Sequence, residues 1–122
     1  MTKIINRQQL KELFTKPYGV AAPTRKRWEE YYDESVIFID PTQEKMGLDS
    51  YIEAQEKLIK RCQDVYLETH SISVSKDCGF VEWTMGLKIM GKEFLYPGTT
   101  RLIFSKNGLI KEHRDYFDFC GP

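Results

Sequence analysis

The chain has 122 residues, 41% of them hydrophobic and 13% aromatic, enough for one core of ordinary domain size. Its 18 basic and 18 acidic residues cancel, and the one basic run, Arg25-Lys26-Arg27, passes directly into Trp28-Glu29-Glu30, so the charge pattern of a nucleic-acid-binding surface is absent. The longest apolar run, Val36 to Ile39, is far short of the ~20 residues a membrane helix needs, and the opening residues carry no signal-peptide pattern.

Three cysteines, Cys62, Cys78 and Cys120, are widely spaced and form no Cys-x-x-Cys or Cys/His cluster. They read as free thiols in a reducing compartment rather than as metal ligands. These features imply a cytoplasmic protein with no metal, no cofactor, no nucleic acid and no membrane among its partners.

In chain order, Leu10, Leu13 and Phe14 recur at helical spacing, and Pro17 and Gly19 end that segment. Thr24 stands where a helix N-cap belongs, with Trp28, Tyr31 and Tyr32 on one face of the helix behind it. Ser35 to Ile39 is a short strand closed by Asp40-Pro41. The polar stretch Thr42 to Gly47 follows, and Asp49 or Ser50 is placed to cap a third helix carrying Tyr51, Ile52, Leu58 and Ile59.

The second half alternates. Val65 to Val74 is one strand; Val81, Trp83, Met85, Leu87 and Ile89 give the apolar face of a second, opposite Glu82, Thr84, Gly86 and Lys88. Gly91-Lys92 turns the chain into Phe94 to Phe104, and Asn107-Gly108 marks a hairpin before a last strand from Leu109 to Phe119. Helices followed by long hairpin-linked strands imply an α+β domain spanning residues 1–122: a strongly curved antiparallel β-sheet capped by three helices from the N-terminal half, forming a cone-shaped pocket.

This layout resembles the nuclear transport factor two-like superfamily, and within it the SnoaL-like cyclases, ketosteroid isomerases and limonene epoxide hydrolases, which share a cystatin-like α+β barrel. The resemblance is carried by Tyr31 to Val36 leading into Ile39-Asp40-Pro41, by the Gly47 turn, and by Asn107 to Asp118. It implies that Asp40 matches the proton-shuttling base of the isomerases and Asp115 the acid/base of the cyclases and hydrolases. It also implies a homodimer paired through the outer face of the sheet. The isomerases' second acid falls on Thr100, and their helix-one tyrosine on the neighbourhood of Phe14, Lys16 or Tyr18. The hydrolases' Arg-x-Asp pair has no match between Cys78 and Met90, where only Glu82 and Thr84 stand.

Strand parity gives an independent reading of the same region. His113, Asp115, Phe117 and Phe119 share one face of the last strand; Glu112, Arg114, Tyr116 and Asp118 share the other. An aspartate among aromatics and two residues from a histidine is a setting suited to proton transfer. Trp83, Met85, Leu87, Tyr96, Thr100 and Phe117 are expected to line the substrate pocket, with Pro97-Gly98 marking a bend. His70 belongs to the surface or a dimer face.

Asp115, Asp40 and His113 are therefore the candidate catalytic residues of a cofactor-independent isomerase, cyclase or hydrolase acting on a small hydrophobic molecule. The alternatives are a non-catalytic ligand-binding or dimerisation module and, last, a protein-interaction module. For Asp40 the competing role is structural, because an aspartate before proline readily bonds its own turn.

Overall fold

A computed structural model describes residues 5–17, 19 and 23–118. The expectations for Tyr18, Phe119 and Cys120 fall outside these residues. Helix α1 (Arg7–Phe14) begins with a signal the periodicity alone does not show, a capping box. The Asn6 side chain accepts from the Gln9 N–H at 2.8 Å, and the Gln9 side chain accepts from the Asn6 N–H at 2.9 Å. Leu10 and Phe14, one turn apart, are its buried residues.

Helix α2 (Arg25–Tyr31) does follow Thr24, but the threonine hydroxyl makes no capping bond. Tyr32 is not on this helix: it is extended and opens strand β1 (Tyr32–Asp40). The expected strand from Ser35 is thus three residues longer at its start. Pro41 and Thr42 form a two-residue turn into β2 (Gln43–Met46), so the polar stretch read as a connection is a short edge strand.

Gly47 then takes φ 92°, and it, rather than Asp49 or Ser50, is the N-cap of α3 (Leu48–Arg61). A side chain at that φ would be strained, so the backbone requirement overrides side-chain capping. Asp49 sits in the first turn instead, ion-paired with Arg25 of α2. Leu48, Tyr51 and Ile52 are buried, and Glu53 pairs with Lys57 on the exposed side at 3.3 Å.

Four long strands follow: β3 (Asp64–Val74), β4 (Cys78–Ile89), β5 (Lys92–Phe104) and β6 (Ile110–Phe117). The β4–β5 turn is Met90-Gly91, both at positive φ, one residue earlier than the sequence suggests. Gly108, at φ 79°, turns β5 into β6.

The six strands form one sheet in the order β2-β1-β6-β5-β4-β3. Every pair is antiparallel except β1–β6, which is parallel, so the sheet is mixed. That parallel pair places Phe38 against His113 at the middle of the sheet. Register shifts interrupt β1–β6, β3–β4 and β5–β6, and such bulges bend a sheet. Helix α1 packs on β3 and α3 on β1. The core combines Leu10 and Phe14, Trp28 and Tyr31, Val36 and Phe38, Tyr51 and Ile52, and Val81, Leu102 and Ile110. No helix among the described residues is long and apolar enough to cross a membrane.

Candidate functional site

Between helices and sheet lies a cavity of about 780 Å³, within the range of small-molecule sites. Its wall includes Trp83, Met85 and Leu87 of β4, Tyr96 and Thr100 of β5, and His113, Asp115 and Phe117 of β6. The period-two alternation explains this convergence, because residues two apart share a face and the antiparallel register sets Thr100 opposite both Val81 and Asp115. Glu112, Arg114 and Tyr116 lie on the other face, where Glu112 pairs with Arg101 at 3.0 Å.

Asp115 is held in a chain of hydrogen bonds. Its Oδ1 accepts from the Thr100 hydroxyl at 2.5 Å and from His113 Nε2 at 2.8 Å. Thr100 in turn accepts from the Trp83 indole N–H at 2.8 Å. On the far side, His113 Nδ1 meets the Tyr32 hydroxyl at 2.8 Å, and Tyr32 meets the Tyr51 hydroxyl at 3.3 Å. Thr100 is fully buried and His113 is 4% exposed, so these bonds stand in place of water.

The direction of the chain follows from counting protons. Burial, first of all, pushes the pKa of Tyr32 and Tyr51 upward, so each phenol keeps its one proton. With Asp115 as a carboxylate and a single proton on the imidazole, His113 Nε2–H donates to Asp115, Tyr32 to His113 Nδ1 and Tyr51 to Tyr32; from the other end Trp83 donates to Thr100 and Thr100 to Asp115. Both arms therefore end on Asp115 Oδ1. Oδ2 receives no hydrogen bond from a described residue, and the side chain keeps 17% of its surface exposed.

The imidazole is fixed by packing as well as by bonds. Phe14 and Tyr32 stack on it with ring centroids at 5.8 Å, and Phe38 stands edge-on at 5.1 Å. These aromatics come from α1 and β1, distant in sequence from His113.

Asp40 also borders the cavity, but its carboxylate is occupied. Oδ1 accepts from the Thr42 N–H at 2.7 Å, the Thr42 hydroxyl at 2.8 Å and the Gln43 N–H at 3.0 Å, while Oδ2 accepts from the Gln43 amide at 3.1 Å. Those four bonds are the turn role open to an aspartate before proline. His70 is away from the cavity, bonded to Thr84 at 2.7 Å on the outer face. Among the described residues no group of three His, Cys, Asp or Glu is placed to hold a metal, and Cys62 and Cys78 are free thiols.

The sequence reading missed Tyr32 and Tyr51, which it placed among apolar helix residues. Only their meeting with His113 across the fold makes them part of the site.

The SnoaL-like domain family matches residues 14–113 of the chain. The chain belongs to that family. Similar solved structures carry the same fold. One is a provisionally assigned SnoaL-like polyketide cyclase from Jannaschia sp. CCS1, 17% identical, with a TM-score of 0.67 over 77% of this chain and 72% of that one. Another is an NTF2-like protein of unknown function from Exiguobacterium sp. 255-15, 19% identical, with a TM-score of 0.66 over 79% of this chain and 86% of that one. A third, from Catenulispora acidiphila DSM 44928, has a ketosteroid isomerase-like fold and was solved with trimethylamine; it is 16% identical, with a TM-score of 0.67 over 74% of this chain and 72% of that one. No curated protein matches the chain.

Proposed function

We propose that this SnoaL-like domain catalyses proton transfer on a small hydrophobic carbonyl compound, with Asp115 as the acid/base. The observation that carries this reading is the asymmetry of the Asp115 carboxyl: Oδ1 takes two hydrogen bonds and Oδ2 takes none from the described residues, at the wall of a cavity where Trp83, Met85, Leu87 and Phe117 also stand. A carboxylate so held cannot swing, and its free oxygen is directed by the two bonds on the other.

In the proposed step, Asp115 Oδ2 removes a proton from a carbon next to a carbonyl group, and the partly exposed carboxylic acid, free to exchange its proton with solvent, then delivers a proton to another atom of the same molecule. His113 and Thr100 position Asp115, and Tyr96, whose hydroxyl has no hydrogen-bond partner among the described residues, orients the substrate. The groups bonded to Asp115 are all spent on Oδ1, so none is spare to hold a developing oxyanion. That suits a carbon acid whose anion is already delocalised by a second carbonyl, as in an isomerisation or an aldol-type ring closure. Asp40, with its carboxylate engaged in the β1–β2 turn, serves the cavity rim rather than the reaction.

The test is Asp115→Asn measured on a compound that co-purifies with the protein or emerges from a screen of hydrophobic dicarbonyls. The amide keeps an oxygen for the Thr100 and His113 bonds, so folding is preserved while turnover is lost. Full turnover in a folded Asp115→Asn protein refutes the assignment. Wild-type binding with no turnover of any compound favours the ligand-binding alternative.

A further inference from the structure

Lys16 stands at the opposite end of the same cavity from Asp115. Its backbone is clamped to β3 by two hydrogen bonds, Lys16 N–H to Leu67 O at 2.9 Å and Leu67 N–H to Lys16 O at 2.8 Å. Directly opposed residues of an antiparallel bridge project to the same side, and Leu67 projects into the cavity. Lys16 lines the cavity with it. Strands β5, β4 and β3 lie between Lys16 and Asp115 in the sheet.

The Lys16 ammonium group makes no ion pair or hydrogen bond with a described residue. Asp64 is the acidic group that acts on it electrostatically, but beyond ion-pair range. Asp64 Oδ1 accepts from the N–H groups of Gly19 and Val65, at 2.8 and 3.1 Å, which holds this carboxylate at the start of β3. Of the other cations in the lining, Lys57 is committed to Glu53 and Arg27 lies over the Tyr31 ring at 5.6 Å; Lys45 on edge strand β2 and the exposed Arg61 at the end of α3 also make no ion pair with a described residue, and Lys16 is set apart from them by the backbone bridge that fixes it to β3. Partial burial depresses the Lys16 pKa, and Asp64 offsets only part of that, so the charge has lost solvation without gaining a partner.

We propose that Lys16 binds a carboxylate of the ligand, so that the molecule taken by this cavity is an elongated apolar compound carrying one carboxylate at the end remote from Asp115. An anion at Lys16 restores what burial removed, and it anchors the ligand at one end while the reacting carbon lies near Asp115 at the other. The apolar wall between them, Leu67, Met85 and Leu87, accommodates the body. This inference rests on the cavity being the ligand site proposed above.

The experiment compares phenylbutyrate with phenylbutyramide, and octanoate with octanamide, by quenching of Trp28 and Trp83, which both line the cavity. Wild-type protein is expected to bind each carboxylate about tenfold more tightly than its amide, the size of one charge-assisted hydrogen bond. Lys16→Gln should remove that preference and leave amide affinity unchanged, and Lys16→Arg should restore most of it. Equal binding of carboxylate and amide by the wild type, or equal weakening of both by Lys16→Gln, overturns the carboxylate site and leaves Asp115 chemistry standing. No binding of any of the four compounds overturns both this site and the ligand cavity on which the proposed function rests.

Discussion

Replacing Thr100 by valine tests the buried network at its narrowest point. The two side chains have nearly the same shape, so the change removes one hydroxyl and little volume. Two bonds are lost together: the one Thr100 accepts from Trp83 and the one it donates to Asp115. Losing a hydrogen bond to a carboxylate costs about 1.5–3 kcal/mol, and stranding a buried indole N–H costs about 1–3 kcal/mol. Because the two share one atom they do not add fully, and we expect a net loss of about 2–4 kcal/mol. Unfolding entropy for a chain of 122 residues is roughly 0.26 kcal/mol per degree, so the midpoint should fall by about 8–15 °C. Urea and thermal unfolding followed by tryptophan fluorescence measure this directly. Thr100→Ser, which keeps the hydroxyl and loses a methyl group, should cost only about 1 kcal/mol. A Thr100→Val protein within about 0.5 kcal/mol of the wild type, or less harmed than Thr100→Ser, would refute the network.

Three further outcomes follow from the same geometry. Burial raises the pKa of Tyr32 and Tyr51 above the ordinary value of 10.0, so the folded state keeps protons that the unfolded chain releases. Their contribution is full below pH 10 and declines as pH rises beyond it; melting temperature should drop there, less steeply in Tyr51→Phe, and equal slopes would contradict the assignment. Gly98→Ala should cost about 1–3 kcal/mol, because a Cβ would lie 2.5 Å from the Trp83 ring and 2.8 Å from the Tyr116 carbonyl oxygen, which cannot move aside. Gly86→Ala, where the three nearest atoms to a Cβ all belong to the partly exposed Tyr66 side chain and none to backbone, should cost less despite a 1.8 Å approach; denaturation midpoints in the reverse order count against this packing. Asp40→Ala should lower stability by about 1–2 kcal/mol through loss of its turn bonds, and leave the Trp83 fluorescence spectrum unchanged.

The strands that carry the site are the part of the molecule most legible in sequence. Alternation along Val81 to Ile89 and His113 to Phe117 reflects a local rule, two residues per face, and the hairpin turns at Gly91 and Gly108 fix how the strands meet. Asp115, His113, Thr100 and Trp83 were reachable that way. Tyr32 was not, because its place in β1 rather than α2 depends on pairing with Ile110, and its hydroxyl finds His113 only across 81 positions of sequence. Tyr51 looked like any core residue of an amphipathic helix. Gly47 displaced Asp49 and Ser50 as the cap because the chain must reverse there with positive φ. Asp40 was legible as a residue but not as a role: its partners Thr42 and Gln43 are adjacent, and only their geometry shows the carboxylate to be fully engaged.

The central claim is that Asp115 moves protons at the cavity wall while Asp40 does not. It is tested most directly by exchange of carbon-bound hydrogen for deuterium in a hydrophobic dicarbonyl incubated with protein in heavy water, followed by proton NMR. We predict exchange catalysed by the wild type, retained within a few-fold by Asp40→Asn, and reduced by about a hundredfold or more by Asp115→Asn, in keeping with the contribution of one positioned general base. Exchange that survives in Asp115→Asn, or that disappears with Asp40→Asn instead, would contradict the account.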